Sequence, residues 1–188
     1  AERRAHRELA RARRRARQQQ VGDVGAGDEQ HEAHRAEQHE ERRAREALRA
    51  ALRESPELVK PNREEAEALT GVPVDGAGSA SEAARLLFDA GAGGVAISLG
   101  AEGMFWQESR DSSPLVARPP RVESRSAVGC GDASIAGFAV AHRRGLAGRE
   151  FVKFAAACGT ANCLADAPGM IDRREVERLL PQSSVEGV

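Results

Sequence analysis

The chain is 188 residues long and nearly neutral, with 28 Lys and Arg against 29 Asp and Glu. That balance excludes a global field that would gather nucleic acid or an anionic membrane surface, and no apolar run is long enough for a membrane-spanning helix. No secretory signal is present, and Cys130, Cys158 and Cys163 lack the paired spacing of a disulfide frame or zinc site, so a cytoplasmic protein with reduced thiols is expected.

Residues 1–45 read as a low-complexity leader. They hold no Ser, Thr, Pro, Asn, Lys, Ile, Phe or Trp, and their only large apolar side chains are Leu9, Val21 and Val24. Such a segment buries too little apolar surface to offset its ordering entropy, so a disordered or solvated helical stretch is expected. Its first 20 residues carry eight Arg against two Glu. An arm binding RNA or a partner would have that charge, but this one lacks interleaved aromatics. His31 and His34 have helical spacing for a metal, and Val24-Gly25-Ala26-Gly27-Asp28 imitates a motif described below without the apolar helix behind it. No chemistry is assigned to either.

From Glu46 the pattern becomes globular. A helix closes over 46–52, a short strand follows over 56–60, and Pro61 leads into a helix over 62–69 that Gly71 ends. Ser79-x-x-Glu82 reads as a capping box before a helix over 83–90, closed by Gly91. The apolar run 94–99 suits a buried strand of a parallel sheet. Two further strands are expected over 103–107 and 114–118, then helices over 131–143, 148–164 and 172–180. This alternation predicts an α/β layered fold with a mostly parallel sheet and a globular domain over 46–188.

Four segments carry candidate chemistry. Lys60-Pro61-Asn62-Arg63-Glu64-Glu65 sits where a strand meets a helix, and Asn62 and Glu65 share a face of the first helical turn. An amide and a carboxylate there suit a hydrated Mg²⁺ beside a triphosphate. From this segment alone, an N-cap with its capping-box partner is the favoured reading. Ser98-Leu99-Gly100-Ala101-Glu102-Gly103 ends the best strand with a hydroxyl and two glycines. It either brings N–H groups to phosphate oxygens or simply joins two strands. In the small-residue helix 155–164, Asn162 offers an amide to a purine, though tight helix packing explains that segment equally well.

The fourth segment is the most informative: Val128-Gly129-Cys130-Gly131-Asp132, followed at once by an apolar helix. Glycines at 129 and 131 let successive N–H groups turn toward one point, and the helix start adds unpaired N–H groups and a positive dipole end. The product is an anion cradle. Asp132 would repel a static anion, and it makes sense as a base that takes a proton from a hydroxyl attacking a phosphoryl group.

In order and content, Lys60-Pro61-Asn62-x-x-Glu65, Ser98-x-Gly100-x-x-Gly103 and Val128-Gly129-x-Gly131-Asp132-x-x-x-Ala136-Gly137-Phe138 resemble successive motifs of the PfkB/ribokinase family of carbohydrate kinases. With the flanking Glu67-Ala68-Leu69-Thr70-Gly71, they are most similar to its 1-phosphofructokinase and tagatose-6-phosphate kinase branch. The resemblance covers about residues 46–181. It implies a ribokinase-like three-layer α/β/α fold whose N-terminal half is missing. It also implies Asp132 as catalytic base and Gly129, Cys130 and Gly131 as the anion hole. Asn62 and Glu65 would position Mg²⁺, Ser98, Leu99, Gly100, Ala101, Glu102 and Gly103 would contact ATP, and Asn162 would lie beside the adenine. The implied reaction is ATP-dependent phosphorylation of a phosphorylated ketohexose such as fructose 1-phosphate, impaired by the truncation. The alternatives are an inactive nucleotide-binding remnant and an interaction protein using the Arg-rich arm. A sugar phosphate is the implied partner, and a homodimer is compatible with the resemblance. Three departures stand out: Ala127 where the family usually has a hydroxyl, Cys130 where it usually has Ala, and residues 1–45, which match nothing in its N-terminal half.

Overall fold

The computed structural model describes residues 42, 43 and 45–188. The chain divides into two units, Ala1–Glu46 and Ala47–Val188, and the second carries the elements that follow. The Arg-rich arm, the His31/His34 pair and the 24–28 motif mimic lie outside the described residues.

Helical residues 47–53 (α1) lead past Pro56 toward α2 (Arg63–Thr70). Asn62 caps α2 reciprocally: its Oδ1 accepts from Glu65 N and Glu65 Oε2 accepts from Asn62 N, both at 2.8 Å. Gly71, with φ 75°, closes the helix. Helix α3 (Ala77–Asp89) starts earlier than the expected residue 83. Ser79 does serve the helix start, but from the third helical position, where its hydroxyl accepts from Asp75 N at 3.0 Å and Gly76 N at 3.1 Å. The extended backbone of Gly76 supplies the entry that Ser79 was expected to supply.

Strands β1 (Val95–Ser98), β2 (Met104–Gln107), β3 (Leu115–Arg118) and β4 (Ser184–Gly187) form one sheet in that order. Helices α4 (Cys130–Arg143), α5 (Gly148–Leu164) and α6 (Arg173–Leu179) lie between β3 and β4 in sequence. All three strand pairs are antiparallel, which corrects the expectation of a mostly parallel sheet. The short link between β1 and β2 holds only the 3₁₀ turn Gly100–Glu102, too little chain for the crossover that parallel strands require. Among the described residues, parallel pairing is confined to bridges of Val59 with Val95 and Asn62 with Ser98. There Ala96 N donates to Val59 O at 2.9 Å, and Ser98 N to Pro61 O at 3.0 Å.

The sheet alternates strictly. Val95, Ile97, Phe105 and Val116 face α2 and α3, meeting Ala66, Ala80, Ala84 and Leu87. Ala96, Met104, Trp106 and Ala117 face the other way, against Phe138 of α4 and Val152, Ala155 and Ala156 of α5. The class is therefore α/β with helices on both faces of the sheet, as expected. Burial on both faces of β1 reported these two helical layers rather than strand direction. Among the described residues no helix is long and apolar enough to cross a membrane.

Helix α4 is pinned to the sheet by three rings. Trp106, Phe138 and Phe151 lie with centroids 5.0–5.3 Å apart. Against α5 the approach is closer still, because a Cβ at Gly137 would come within 2.9 Å of Ala155 Cα. Backbone cannot rotate away as a side chain can. Gly137→Val is therefore expected to lower the unfolding free energy by about 1–3 kcal/mol, read from urea denaturation.

Candidate functional site

Pairing of 59–62 alongside β1 brings two parallel strand ends to one edge, where α/β proteins place their ligands. Lys60 and Ser98 meet at that edge, with Lys60 Nζ donating to Ser98 Oγ at 3.0 Å. A Cβ at Gly131 would lie 3.2 Å from the same Nζ, so the first turn of α4 abuts the ammonium. Burial pushes the Lys60 pKa below its ordinary 10.5, opposed by the carboxylates of Glu65 and Asp132. Lys60, Glu65, Ser98, Gly131 and Asp132 thus occupy one locality. Sequence reasoning quoted Lys60 within a motif without assigning it a role. The available signal was compositional: it is one of two lysines in a chain that otherwise uses Arg.

The turn before α4 adopts the conformation that the sequence requires. Gly129 has φ 77° and ψ 0°, left-handed backbone that favours glycine. Ala133 N donates to Gly129 O at 2.9 Å, closing the first helical bond, and Cys130 N closes back on Ala127 O at 3.2 Å. The N–H groups of Gly131 and Asp132 belong to the first turn and have no acceptor within the helix. Asp132 is exposed.

Asn162 braces this turn from within. It is 2% exposed, and its Nδ2 donates to Val128 O at 2.9 Å and to Cys130 Sγ at 3.4 Å, while its Oδ1 accepts from Gly169 N at 2.8 Å. The amide expected beside a purine is therefore committed to holding loops on either side of it.

Asn62 and Glu65 each spend one oxygen on the capping box. Among the described residues no cluster of three His, Cys, Asp or Glu is arranged for a metal. The pair fits Mg²⁺ in the manner of that ion, which retains waters and takes few protein oxygens.

The segment 98–103 divides. Ser98 joins the Lys60 cluster, whereas the rest closes the β1–β2 hairpin: Leu99 N donates to Gly103 O at 2.9 Å and Gly103 N to Gly100 O at 3.1 Å. Arg63 clamps it by donating to Leu99 O at 3.1 Å and to Glu102 Oε1 at 2.7 Å. Its exposed stretch, Gly100–Glu102, borders the cluster without contributing a charged group left uncommitted.

Chemically, the cluster presents helix N–H groups and an ammonium to an anion, with an exposed carboxylate alongside. A match to the pfkB family carbohydrate kinases runs over residues 32–169. The 1-phosphofructokinase of Escherichia coli (strain K12) is 44% identical over 93 residues, 50% of this chain and 29% of that enzyme. Among solved structures, phosphofructokinase-2 from Escherichia coli in complex with substrates and products has a TM-score of 0.66 at 29% identity. That likeness covers 73% of this chain and 44% of that one. The ribokinase of Arabidopsis thaliana complexed with ribose and ATP has a TM-score of 0.60 at 28% identity, covering 66% and 40%. The chain spans less than half the length of each.

Proposed function

The chain belongs to the pfkB family of carbohydrate kinases, and from that premise we propose that it holds ATP phosphates at the turn 129–131 and directs phosphoryl transfer to a phosphorylated ketohexose such as fructose 1-phosphate. The observation that carries this reading is the meeting of Lys60 with Gly131 and Asp132 at the start of α4. Gly131 fits a phosphate because any side chain there would fill the space beside the ammonium.

Bound there, ATP supplies the γ-phosphoryl group, and Mg²⁺ offsets its charge. The first-turn N–H groups of Gly131 and Asp132 face the phosphate oxygens, and the positive end of α4 adds to the attraction. Lys60, whose ammonium is held by Ser98 Oγ, would contribute a full charge to a phosphate oxygen. Asn62 and Glu65 would hold the hydrated cation, which would offset phosphate charge. Asp132 accepts the proton of the sugar hydroxyl as it attacks, and Lys60 offsets the repulsion between that carboxylate and the phosphates. Asn162 keeps the turn in place.

The test is ADP release by the purified chain with ATP and fructose 1-phosphate, fructose 6-phosphate or tagatose 6-phosphate in turn. Slow sugar-dependent release with one of them is expected, the chain spanning less than half the length of its relatives. ATP binding without release for any sugar would overturn the kinase reading and leave a nucleotide-binding protein.

Lys60 adds a pH dependence. Its folded pKa lies below 10.5, so ATP affinity is expected to fall as pH rises through that lowered value, earlier than for an ordinary lysine. Stability runs the opposite way: between the folded pKa and 10.5 the unfolded chain binds more protons, so this residue's contribution to stability rises with pH there. Calorimetric titration of ATP from about pH 7 to about pH 10, with Lys60→Arg expected to flatten the decline, checks the assignment.

A further inference from the structure

We propose that Cys130 and Cys163 form a redox-active dithiol, a modification site at which a hydroperoxide closes a disulfide across the base of the phosphate-binding turn. The two sulfurs lie 2.7 Å apart. They come from different helices: Cys130 is the first residue of α4, inside the anion-hole turn, and Cys163 is next to the last of α5. Both thiols are free and partly exposed, whereas Cys158 is buried.

The frame around the pair is stiff. At Gly159, one turn of α5 before Cys163, a Cβ would lie 3.2 Å from Cys130 O. Cys130 Sγ also receives the Asn162 amide at 3.4 Å, and Cys163 Sγ donates to Gly159 O at 3.5 Å. At 2.7 Å the sulfurs are already closer than two unbonded sulfur atoms normally lie, so little movement separates them from a bond of about 2.05 Å.

The two thiols differ in role. Burial and the neighbouring Cys130 push the Cys163 thiol up to about 11, and Cys130, in the α4 turn beside the exposed Val128, is the thiol placed to meet the oxidant. Cys130 Sγ attacks the terminal oxygen of the hydroperoxide, whose O–O bond breaks to release an alcohol, or water from hydrogen peroxide, and leave a sulfenic acid. Cys163 Sγ then attacks that sulfur. The S–O bond breaks, and the hydroxyl leaves with the Cys163 proton as water. In sum, two thiols lose two electrons to the peroxide and form one disulfide, which a dithiol reductant reverses by exchange.

The crosslink ties the turn 129–131 to the end of α5, so oxidation acts on the surface that binds phosphate. That consequence rests on the kinase reading; the crosslink itself does not.

The test treats the purified full chain with hydrogen peroxide and counts thiols after denaturation. A fall from three free thiols to one is expected, with peptides containing Cys130 and Cys163 joined within monomeric protein and separated again by dithiothreitol. Cys158→Ser is expected to keep that link, and Cys163→Ser to lose it. Three thiols surviving, oxidation of Cys130 to sulfinic acid with Cys163 untouched, or links only between molecules would overturn the proposal. Because thiol counting needs no turnover, failure of the kinase reading leaves this outcome readable.

Discussion

Asp132→Asn is expected to lower sugar-dependent ATP consumption by about 10²–10⁴-fold, the usual contribution of a positioned base, while ATP binds as well as before or more tightly. The substitution keeps the size and hydrogen-bonding reach of the side chain and removes its capacity to accept a proton. Asp132 is exposed in the first turn of α4, so it has no buried structural duty to lose. Its negative charge also faces Lys60. Removing it leaves the ammonium and the helix end acting on the phosphates without an opposing carboxylate. A residue that served binding alone would change affinity and leave the maximal rate intact. Parallel measurement of kcat and of ATP affinity by calorimetry therefore separates the two roles, and a rate equal to that of the native chain would remove Asp132 from the chemistry.

Asn162→Leu carries the second-largest effect. The side chain is 2% exposed and serves Val128 O on one side and Gly169 N on the other. Leucine removes both bonds, and because Val128 and Gly169 are exposed water can take the freed backbone groups, so each bond counts for about 0.5–1.5 kcal/mol. A loss of about 1–3 kcal/mol in unfolding free energy is expected from these two terms, read from urea denaturation at constant slope. Since Val128 begins the phosphate-binding turn, ATP affinity of the folded fraction should fall with it. Unchanged stability combined with lost preference for ATP over GTP would instead return Asn162 to the role the sequence suggested, beside the nucleobase.

Helix ends were legible because their chemistry is local. Asn62 and Gly71 bound α2 as a cap pair should, and the small-residue patterns of α4 and α5 predicted both spans within a residue or so. Strand positions were legible from apolar runs, but strand direction was not. Val95, Ala96 and Ile97 are buried on both sides whichever way β2 runs, and only the shortness of the 100–102 turn decides it. Strand β4 offered a single apolar residue, Val185, and is held by its backbone ladder to β3. The start of α3 misled because Ser79 caps from inside the helix as effectively as a residue before it. At the site, the turn 129–132 announced itself through glycine spacing. Lys60 did not, because its importance comes from Gly131, far away in sequence, packing against its ammonium. The dual hydrogen bonding of Asn162 was equally hidden, since both of its main partners are backbone groups of loops that sequence alone does not bring together.

The account turns on Lys60 and the α4 turn acting together as a phosphate site. Calorimetric titration of the native chain and of Lys60→Met with ATP, and with adenosine in parallel, tests this most directly. A charged hydrogen bond of about 1.5–3 kcal/mol predicts ATP binding weakened by about 10–100-fold and adenosine binding left unchanged. Equal ATP affinity in the two proteins would contradict this, leaving Lys60 a half-buried partner of Ser98 and the turn an ordinary helix start.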